Sequence, residues 1–501
     1  MKDIGKGFGE LVMIFFINSL SILVMGWPNY VLFDPTSWGT NRIRFTRTDG
    51  DWLIASMPFA FAACLLYLCF SDLLKMPYAH QVYNICLAIF AIIVGIFISF
   101  WFYYDTNIVG YGSMTNIKKQ KIPFKWLSLW MYNLKHMLMK NYAAAGLSSE
   151  GHWASAAHEP YLKNSSIYTI KALANSTIES SKSAAETFGI DKYYASSEEL
   201  AQDPDIDTVV VSVKVPLHKQ LITPAVLQGK NAIVEWPLAR NLQEAEELTQ
   251  LARSKNIKTM VGLQARQSSV VKKMKEIIDS GKLGKILSTH LFASGLAWGA
   301  SINEDNAYLA DIENGATMIS IPGGHSLDAM CYVFGEFESL TATIHNARKT
   351  TEIRDGKGNT IRSVPLTSHD QMSVSGVLTS GAYASAHFRG GIHKGTNLLW
   401  EVEGTHGELQ VKGPSGHIQM SFPTLHASFD GEDMTEITIE DEHATHVNVG
   451  RAYEEFAKPD GVYPTWEDAV IRHRMIEAIY KSAQTGTKQT YETTYSDTII
   501  F

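Results

Sequence analysis

Short apolar runs alternate with helical patterns from residue 140 onward, and this alternation limits the possible folds more than any other feature of the chain. Four runs of strand type are separated by segments with helical periodicity; the runs are YTIKALAN, DTVVVSVKV, NAIVEWPLA and KTMVGLQ. Strands that alternate with helices form a parallel sheet with crossover helices. The sequence therefore predicts half or more of a doubly wound α/β sheet of nucleotide-binding type, whose ligand lies outside the carboxyl ends of the strands.

The pattern changes after Leu263, where longer strands with period-two alternation begin, such as ILSTHLFAS, SLTATIHNA and NLLWEVEGTHGELQVKG. This alternation predicts a largely antiparallel sheet with one packed face and one face available to a partner or substrate. We expect an α/β domain over 141–262 and an α+β sheet domain over 263–445. A C-terminal helix and tail, 446–501, should pack back on them.

The stretch GLSSEGHW, residues 146–153, falls where the first strand of the α/β domain should meet its helix. Glycine at 146 and 151 would let the backbone approach a pyrophosphate, and the start of the following helix would face the anion. The stretch lacks the full GxGxxG pattern and the ending of a P-loop, so an ordinary turn is the alternative. Asn175 follows the next strand, where an acidic residue usually binds the ribose hydroxyls, so both NAD and NADP stay open.

Charge and cysteine content exclude two classes of site. Residues 141–501 carry 31 Lys and Arg against 44 Asp and Glu, which gives a net charge of -13. Direct nucleic-acid binding needs clustered basic side chains, so we do not expect it here. The cysteines Cys64, Cys69, Cys86 and Cys331 show no paired spacing, which indicates a reducing compartment without disulfides or a zinc site.

Three long apolar stretches, 11–33, 52–74 and 82–104, precede this part of the chain. Each has the roughly 20 residues that a membrane-crossing helix needs, so 1–140 reads as an all-α transmembrane region. The basic segments NRIRFTR and NIKKQKIPFK favour a cytosolic location for everything after them. The expected localisation is multi-pass membrane, with membrane contact through residues 1–104. If a gene-model fusion joins the two parts, the expected localisation of the second part is the cytosol or the nucleus.

The segment before Gly146 reads HMLMKNYAAAG, which is a poor match to a buried strand because Lys140 and Asn141 interrupt it. We therefore expect the first strand of the α/β domain to be weak or missing.

Five pieces of the sequence carry a resemblance to a known family: GLSSEGHW, AIVEWPLA, VGLQARQS, NGATMISIPGGHSLDAM and EGTHGELQVKG. In this order and spacing they resemble the Gfo/Idh/MocA oxidoreductase family, and within it the yeast galactose-regulon repressor group. The resemblance implies a Rossmann domain that binds NAD or NADP, followed by an α+β domain whose open sheet often mediates dimerisation. The expected dinucleotide contacts are Gly146, Leu147, Ser148, Ser149, Gly151, His152, Trp153, Asn175, Ser176, Val213, Glu235, Trp236 and Pro237.

The resemblance also implies where chemistry would occur. Enzymes of the family have a proton-transferring lysine in a Glu-Lys-Pro motif, and this chain has Trp236 there. They have an aspartate four residues before a histidine, and this chain has Ile321 before His325. An indole N–H donates a hydrogen bond but cannot act as a base. The candidate catalytic residues are His325 and Asp328, which could orient the imidazole; alternatively, both only cap and brace a helix.

Three functions follow, and whether the protein is an enzyme stays open at this stage. The first is a regulatory or sensor-type dinucleotide binder with an altered catalytic motif. The second is an active NAD(P)-dependent oxidoreductase acting on sugar or polyol CH–OH groups. The third is a membrane-anchored interaction scaffold. The expected partners are the dinucleotide, a sugar or polyol ligand, and a protein partner or second copy bound through the C-terminal sheet.

Overall fold

The structure, a computed structural model, describes residues 140–145 (backbone only), 147, 153–420 and 422–495. These residues lie in one unit that spans Met131–Phe501. They form a six-stranded, an eight-stranded and a three-stranded sheet.

The six-stranded sheet is parallel, with the strand order β3-β2-β1-β4-β5-β6. Its strands are β1 (Lys140–Ala145), β2 (Tyr168–Ala174), β3 (Lys192–Tyr194), β4 (Thr208–Val211), β5 (Asn231–Val234) and β6 (Thr259–Val261). Its helices are α1 (Trp153–Ala157), α2 (Glu159–Asn164), α3 (Ile178–Phe188), α4 (Ser197–Gln202), α5 (His218–Leu227) and α6 (Leu242–Ser254). This order is that of a dinucleotide-binding Rossmann sheet, with its switch point between β1 and β4.

Local sequence signals explain the ends of these helices. Helix α3 begins with a capping box between Thr177 and Ser180 and ends at Gly189, whose φ is 68°. Helix α6 begins at Asn241, whose side chain accepts a hydrogen bond from the Glu244 amide. Caps of these types satisfy backbone groups that a helix end leaves unpaired.

The first strand is present, contrary to the expectation that it is weak or missing. Strand β1 pairs with β2 on one side and with β4 on the other, with a register shift between Tyr142 and Ala143. A strand that is flanked on both sides gains two hydrogen-bonded ladders. The low strand propensity of its own residues then matters less, because propensity depends strongly on the neighbouring strands.

The second sheet has the order β17-β16-β15-β14-β7-β13-β12-β9, and the prediction of a largely antiparallel sheet is confirmed. Only the pair of β13 and β7 is parallel among its described strands. Its strands are β7 (Ile286–Ser294), β9 (Phe337–His345), β12 (Gln371–Leu378), β13 (Tyr383–Arg389), β14 (Leu398–Gly404), β15 (Gly407–Gly413), β16 (Thr424–Phe429) and β17 (Thr435–Ile437). The small sheet consists of β8 (Ser301–Asn303), β10 (Thr350–Arg354) and β11 (Thr360–Pro365).

Four further helices complete the fold: α7 (Ser269–Asp279), α8 (Gly324–Phe334), α9 (His446–Ala457) and α10 (Trp466–Thr485). Helix α10 packs on β9, where the Ser482 hydroxyl accepts a hydrogen bond of 2.9 Å from the Ala342 amide. Helix α9 instead joins the core beneath the first helices of the Rossmann sheet, with Val449, Tyr453 and Phe456 buried there. The C-terminal helices therefore support both sheets.

The predicted transmembrane region lies outside the described residues, because the stretches 11–33, 52–74 and 82–104 all precede residue 140. Within the described residues, no helix combines the length and the apolar character that crossing a membrane requires. The expected multi-pass membrane localisation is corrected accordingly, because no described helix supports it, and the functions proposed below make no use of a membrane.

Candidate functional site

The loop after β1 is held by Asn175, which follows β2 at the same edge of the sheet. The Asn175 Nδ2 group donates a hydrogen bond of 2.8 Å to the backbone carbonyl of Leu147, whose own side chain is buried. The backbone amide of Asn175 donates to Ser181 Oγ at 2.8 Å. The side chain expected to face the ribose is therefore used to fix the loop, while Ser176 beside it is exposed.

Several other predicted dinucleotide contacts fall outside the described residues: Gly146, Ser148, Ser149, Gly151 and His152. Trp153 is described and forms the first residue of α1, packed against the core beneath that helix.

The ends of β4 and β5 are joined by a buried histidine that the sequence analysis did not single out. His218 Nε2 lies 3.0 Å from the carbonyl oxygen of Val213, and Nδ1 lies 2.8 Å from that of Pro237. Burial lowers the pKa of His218. A neutral ring donates one of these two hydrogen bonds, and it lies between the two loops that the sequence predicts to line the cofactor site.

Glu235, at the end of β5, points to the interior rather than to open solvent. Its Oε1 atom lies 2.7 Å from His158 Nε2, and His158 Nδ1 lies 2.8 Å from the Tyr453 hydroxyl. Its other oxygen lies against Gly262, where a Cβ atom would come within 2.6 Å of Oε2. A chain of three side chains therefore links the floor of the candidate site to helix α9.

No sequence pattern identifies that chain of contacts. His158 and Tyr453 are 295 residues apart. Tyr453 lies in an ordinary amphipathic helix pattern, which predicts only that it is buried.

Trp236 is buried, with 4% of its surface exposed, and its peptide bond to Pro237 is cis. The indole Nε1 group donates a hydrogen bond of 2.6 Å to the backbone carbonyl of Ser320, just before helix α8. A Cβ atom on Gly324 would come within 2.7 Å of Nε1, so only glycine fits beside the ring there. The position of the family's lysine is thus filled by a side chain that joins the two sheets and has no free proton-accepting atom.

His325 is buried at the start of α8, and its Nδ1 atom has no hydrogen-bond partner among the described residues. Burial, together with the neighbouring ring of His417, places the pKa of His325 well below its usual value. His417 is itself held, with Nε2 3.0 Å from the Gly295 carbonyl oxygen and Nδ1 3.1 Å from Gln419 Nε2. His325 is therefore a neutral imidazole with an unused nitrogen at neutral pH.

Asp328 does not orient His325 in the way the sequence suggests. Its carboxylate accepts two hydrogen bonds from Arg266, at 2.9 and 2.7 Å, and a third from Arg472 at 3.2 Å. The aspartate is fully buried in this ion network, and Arg472 also pairs with Glu336. Ile321, at the position of the family's aspartate, is packed against the main core. His325 therefore has no carboxylate partner among the described residues.

Comparisons with known proteins match both sheets of the described structure. Residues 141–263 match the oxidoreductase family with an NAD-binding Rossmann fold, Gfo/Idh/MocA, and residues 269–413 match the C-terminal domain of Gal80p. The dehydrogenase aclE of Aspergillus oryzae is 36% identical over 339 residues, which cover 65% of this chain and 89% of that protein.

Two further relatives differ in their described roles. The galactose/lactose metabolism regulatory protein GAL80 of Saccharomyces cerevisiae is 28% identical, over 68% of this chain and 92% of its own length. The crystal structure of its super-repressor mutant gives a TM-score of 0.66 at 27% identity, covering 70% of this chain and 97% of that one. A levoglucosan dehydrogenase in complex with NADH and L-sorbose has the same fold, with a TM-score of 0.61 at 20% identity, covering 71% and 99%.

The dehydrogenase aclE is matched over most of its length, and both halves of the fold are matched in order. The chain therefore belongs to the Gfo/Idh/MocA family of NAD-binding oxidoreductases and has a C-terminal domain of the Gal80p type.

Proposed function

We propose that the protein is a regulatory or sensor-type binder of NAD or NADP, in which the proton-transferring lysine of the family has been replaced. One observation carries the proposal: the buried Trp236 indole uses its only polar group on the Ser320 carbonyl. Asp328, expected to orient His325, is instead bound by two arginines, so neither Trp236 nor Asp328 offers a free acid or base. A relative of described regulatory role, GAL80, supports the same reading.

The carboxyl edge of the Rossmann sheet fits a dinucleotide. Ser212, directly after β4, has a buried hydroxyl with no hydrogen-bond partner among the described residues. Buried hydroxyls without partners are uncommon, and a group that binds there is one explanation for them. With Leu147, Trp153 and Val213, this residue would hold NAD or NADP, whose nicotinamide could accept or give a hydride when bound.

Titration of the full chain with NADH and NADPH, followed by nicotinamide fluorescence, tests the proposal. We expect saturable binding of at least one dinucleotide, and failure to bind either would refute the proposed function.

Replacing Asn175 with aspartate should weaken binding of both dinucleotides. A carboxylate cannot donate to the Leu147 carbonyl, so the loop loses a hydrogen bond worth about 0.5–1.5 kcal/mol. NADPH should lose more, because the added charge repels its 2′-phosphate.

A matched control is available for Asn175→Asp. Asn397 also donates its Nδ2 group to a backbone carbonyl, that of His393 at 2.7 Å, but it lies in the loop before β14. Asn397→Asp should leave both dinucleotide affinities unchanged. Equal losses in the two variants would mean that the effect on binding comes from general destabilisation.

The second candidate function is an NAD(P)-dependent oxidoreductase acting on a sugar or polyol CH–OH group. The specific observation in its favour is the Nδ1 atom of His325, which has no hydrogen-bond partner among the described residues and so could bind a substrate hydroxyl. The dehydrogenase aclE, 36% identical, supports it as well.

A protein partner, most simply a second copy of the chain, fits the open face of the eight-stranded sheet. Val377 on β12 and Tyr383 on β13 are directly opposed, and both are exposed apolar side chains. On the neighbouring strand Phe292 stacks on His387 at 5.6 Å. An exposed apolar group of this kind on an open sheet is typical of an interaction surface.

Replacing Tyr383 with arginine should therefore lower the solution mass to that of one chain, as measured by light scattering. The same change at Tyr193, an exposed tyrosine on β3, serves as the control and should leave the mass unchanged. A wild-type protein with the mass of a single chain would contradict self-association through this face.

A further inference from the structure

Lys214 and Tyr308 meet between the Rossmann sheet and the segment that follows β8. Lys214 lies in the loop after β4, and its Nζ atom is 5.3 Å from the centroid of the Tyr308 ring. A cation within about 6 Å of an aromatic face is attracted to it. The exposed lysine side chain is thus directed across to the second half of the structure.

The backbone that carries Lys214 is held beside Trp236. Strands β4 and β5 are neighbours, with Val211 opposite Val234. The His218 ring contacts the carbonyl oxygen of Val213 as well as that of Pro237. Lys214 and Trp236 therefore come just after two neighbouring strands, and such strands lie about 4.8 Å apart.

The segment that carries Tyr308 continues to residues that contact Arg240 and Trp236. Gly315, with a φ of 69°, is packed so closely against the backbone of Arg240 that a Cβ atom would overlap it. Five residues later the Ser320 carbonyl accepts the Trp236 hydrogen bond. Tyr308 is half-buried, burial raises the pKa of its phenol, and its hydroxyl makes no hydrogen bond within the described residues. An ammonium group and a free hydroxyl thus border the carboxyl edge where the family's lysine is missing.

We propose that Lys214 supplies the proton that Trp236 cannot, in an NAD(P)H-dependent reduction of a carbonyl ligand, and that Tyr308 positions its ammonium group. A bound NAD(P)H would supply a hydride to the carbonyl carbon. The carbonyl oxygen takes up the electron pair of its π bond and receives a proton from Lys214 Nζ, which gives an alcohol. Lys214 then recovers a proton from water. The inference rests on the dinucleotide binding of the proposed function and goes beyond sensing.

The chemistry favours the reductive direction. A lysine side chain is a triple donor without an acceptor in its usual protonated form. It can therefore give a proton to a developing alkoxide directly. Oxidation of an alcohol would instead require that the lysine first lose its proton. Positioned proton transfer of this kind contributes about 10²–10⁴-fold to a rate.

The test uses the full chain with NADH or NADPH and three carbonyl probes, dihydroxyacetone, D-glucose and L-sorbose, and follows loss of the dihydronicotinamide absorbance. Lys214→Met should lower the rate by about 100-fold or more. Lys214→Arg keeps the charge but holds its proton too tightly to transfer it, so it should lose a similar factor. Ethylamine should restore activity to Lys214→Ala, which a merely structural lysine would not show.

Tyr308 is tested with a matched pair of variants. Tyr308→Phe keeps the aromatic face and should stay close to the wild-type rate, whereas Tyr308→Leu should lose about 10-fold, which corresponds to a cation–π interaction of about 1–2 kcal/mol. NADH affinity, measured by fluorescence, should be unchanged in all these variants.

The outcomes separate this inference from the proposed function. Absence of NADH and NADPH binding would refute both. Binding without turnover of any of the three probes would overturn the role of Lys214 alone, and so would an unchanged rate in Lys214→Met.

Discussion

Replacing Asp328 with alanine should lower the free energy of unfolding by about 3–5 kcal/mol, the range seen when one member of a buried ion pair is removed. The Asp328 side chain is fully buried and accepts hydrogen bonds from Arg266 and Arg472. Arg472 is itself only 1% exposed. The alanine variant leaves both guanidinium groups with one carboxylate fewer in a site that water cannot enter to compensate.

Urea unfolding followed by circular dichroism measures the loss. Asp279→Ala is the control, because it removes a carboxylate that pairs with Lys275 at 3.2 Å on the surface of α7, where the side chain is 59% exposed. Exposed pairs of this kind contribute about 0–1 kcal/mol. A loss in Asp328→Ala no larger than that in Asp279→Ala would contradict the structural role of the network.

The same measurement separates the two roles considered for Asp328. A positioning partner of His325 would change chemistry at the site while leaving stability almost intact. The network predicts the reverse, with a large loss of stability and unchanged NADH affinity in the fraction that stays folded.

Asp328 also shows why the sequence predicts one part of the site and not the other. The spacing of His325 and Asp328 places them one helical turn apart, and this is correct. The direction of the carboxylate depends on Arg266 and Arg472, which are 62 and 144 residues away and whose approach no local pattern records.

Elements governed by local interactions can be predicted from the sequence. The capped helices α3 and α6 and the apolar strand β4 follow from their own residues. Strand β1 was underestimated because its stability comes from two neighbours rather than from its own sequence. The link from Glu235 through His158 to Tyr453 was missed for the same reason, since its partners meet only in the folded chain.

Lowering the pH from 7 to 5 should destabilise the protein strongly, because four histidines are buried in their neutral form. Burial lowers the pKa of His218, His325, His417 and His473, and for His473 it does so to about 3. In the unfolded chain a histidine takes up a proton below its ordinary pKa of about 6.5, whereas the buried ring does not. The contribution of these four histidines to the free energy of unfolding is therefore fully present above about pH 6.5, and it is lost progressively as the pH falls toward 3.

His473 gives the clearest measure of this effect. Its ring lies 5.0 Å from the Trp236 ring, and its Nε2 atom has no hydrogen-bond partner among the described residues. Linkage predicts that this one histidine costs about 2 kcal/mol of unfolding free energy between pH 7 and pH 5. His473→Phe should remove that part of the pH dependence, as measured by urea unfolding at the two pH values.

The replacement of exposed His406 by glutamine is the control and should leave the pH dependence as it is in the wild type. The comparison is a difference of differences, so any loss of packing in His473→Phe that is equal at both pH values cancels. A pH dependence that is unchanged in His473→Phe would show that this ring takes up a proton as readily in the folded chain as in the unfolded chain, which would contradict the lowered pKa.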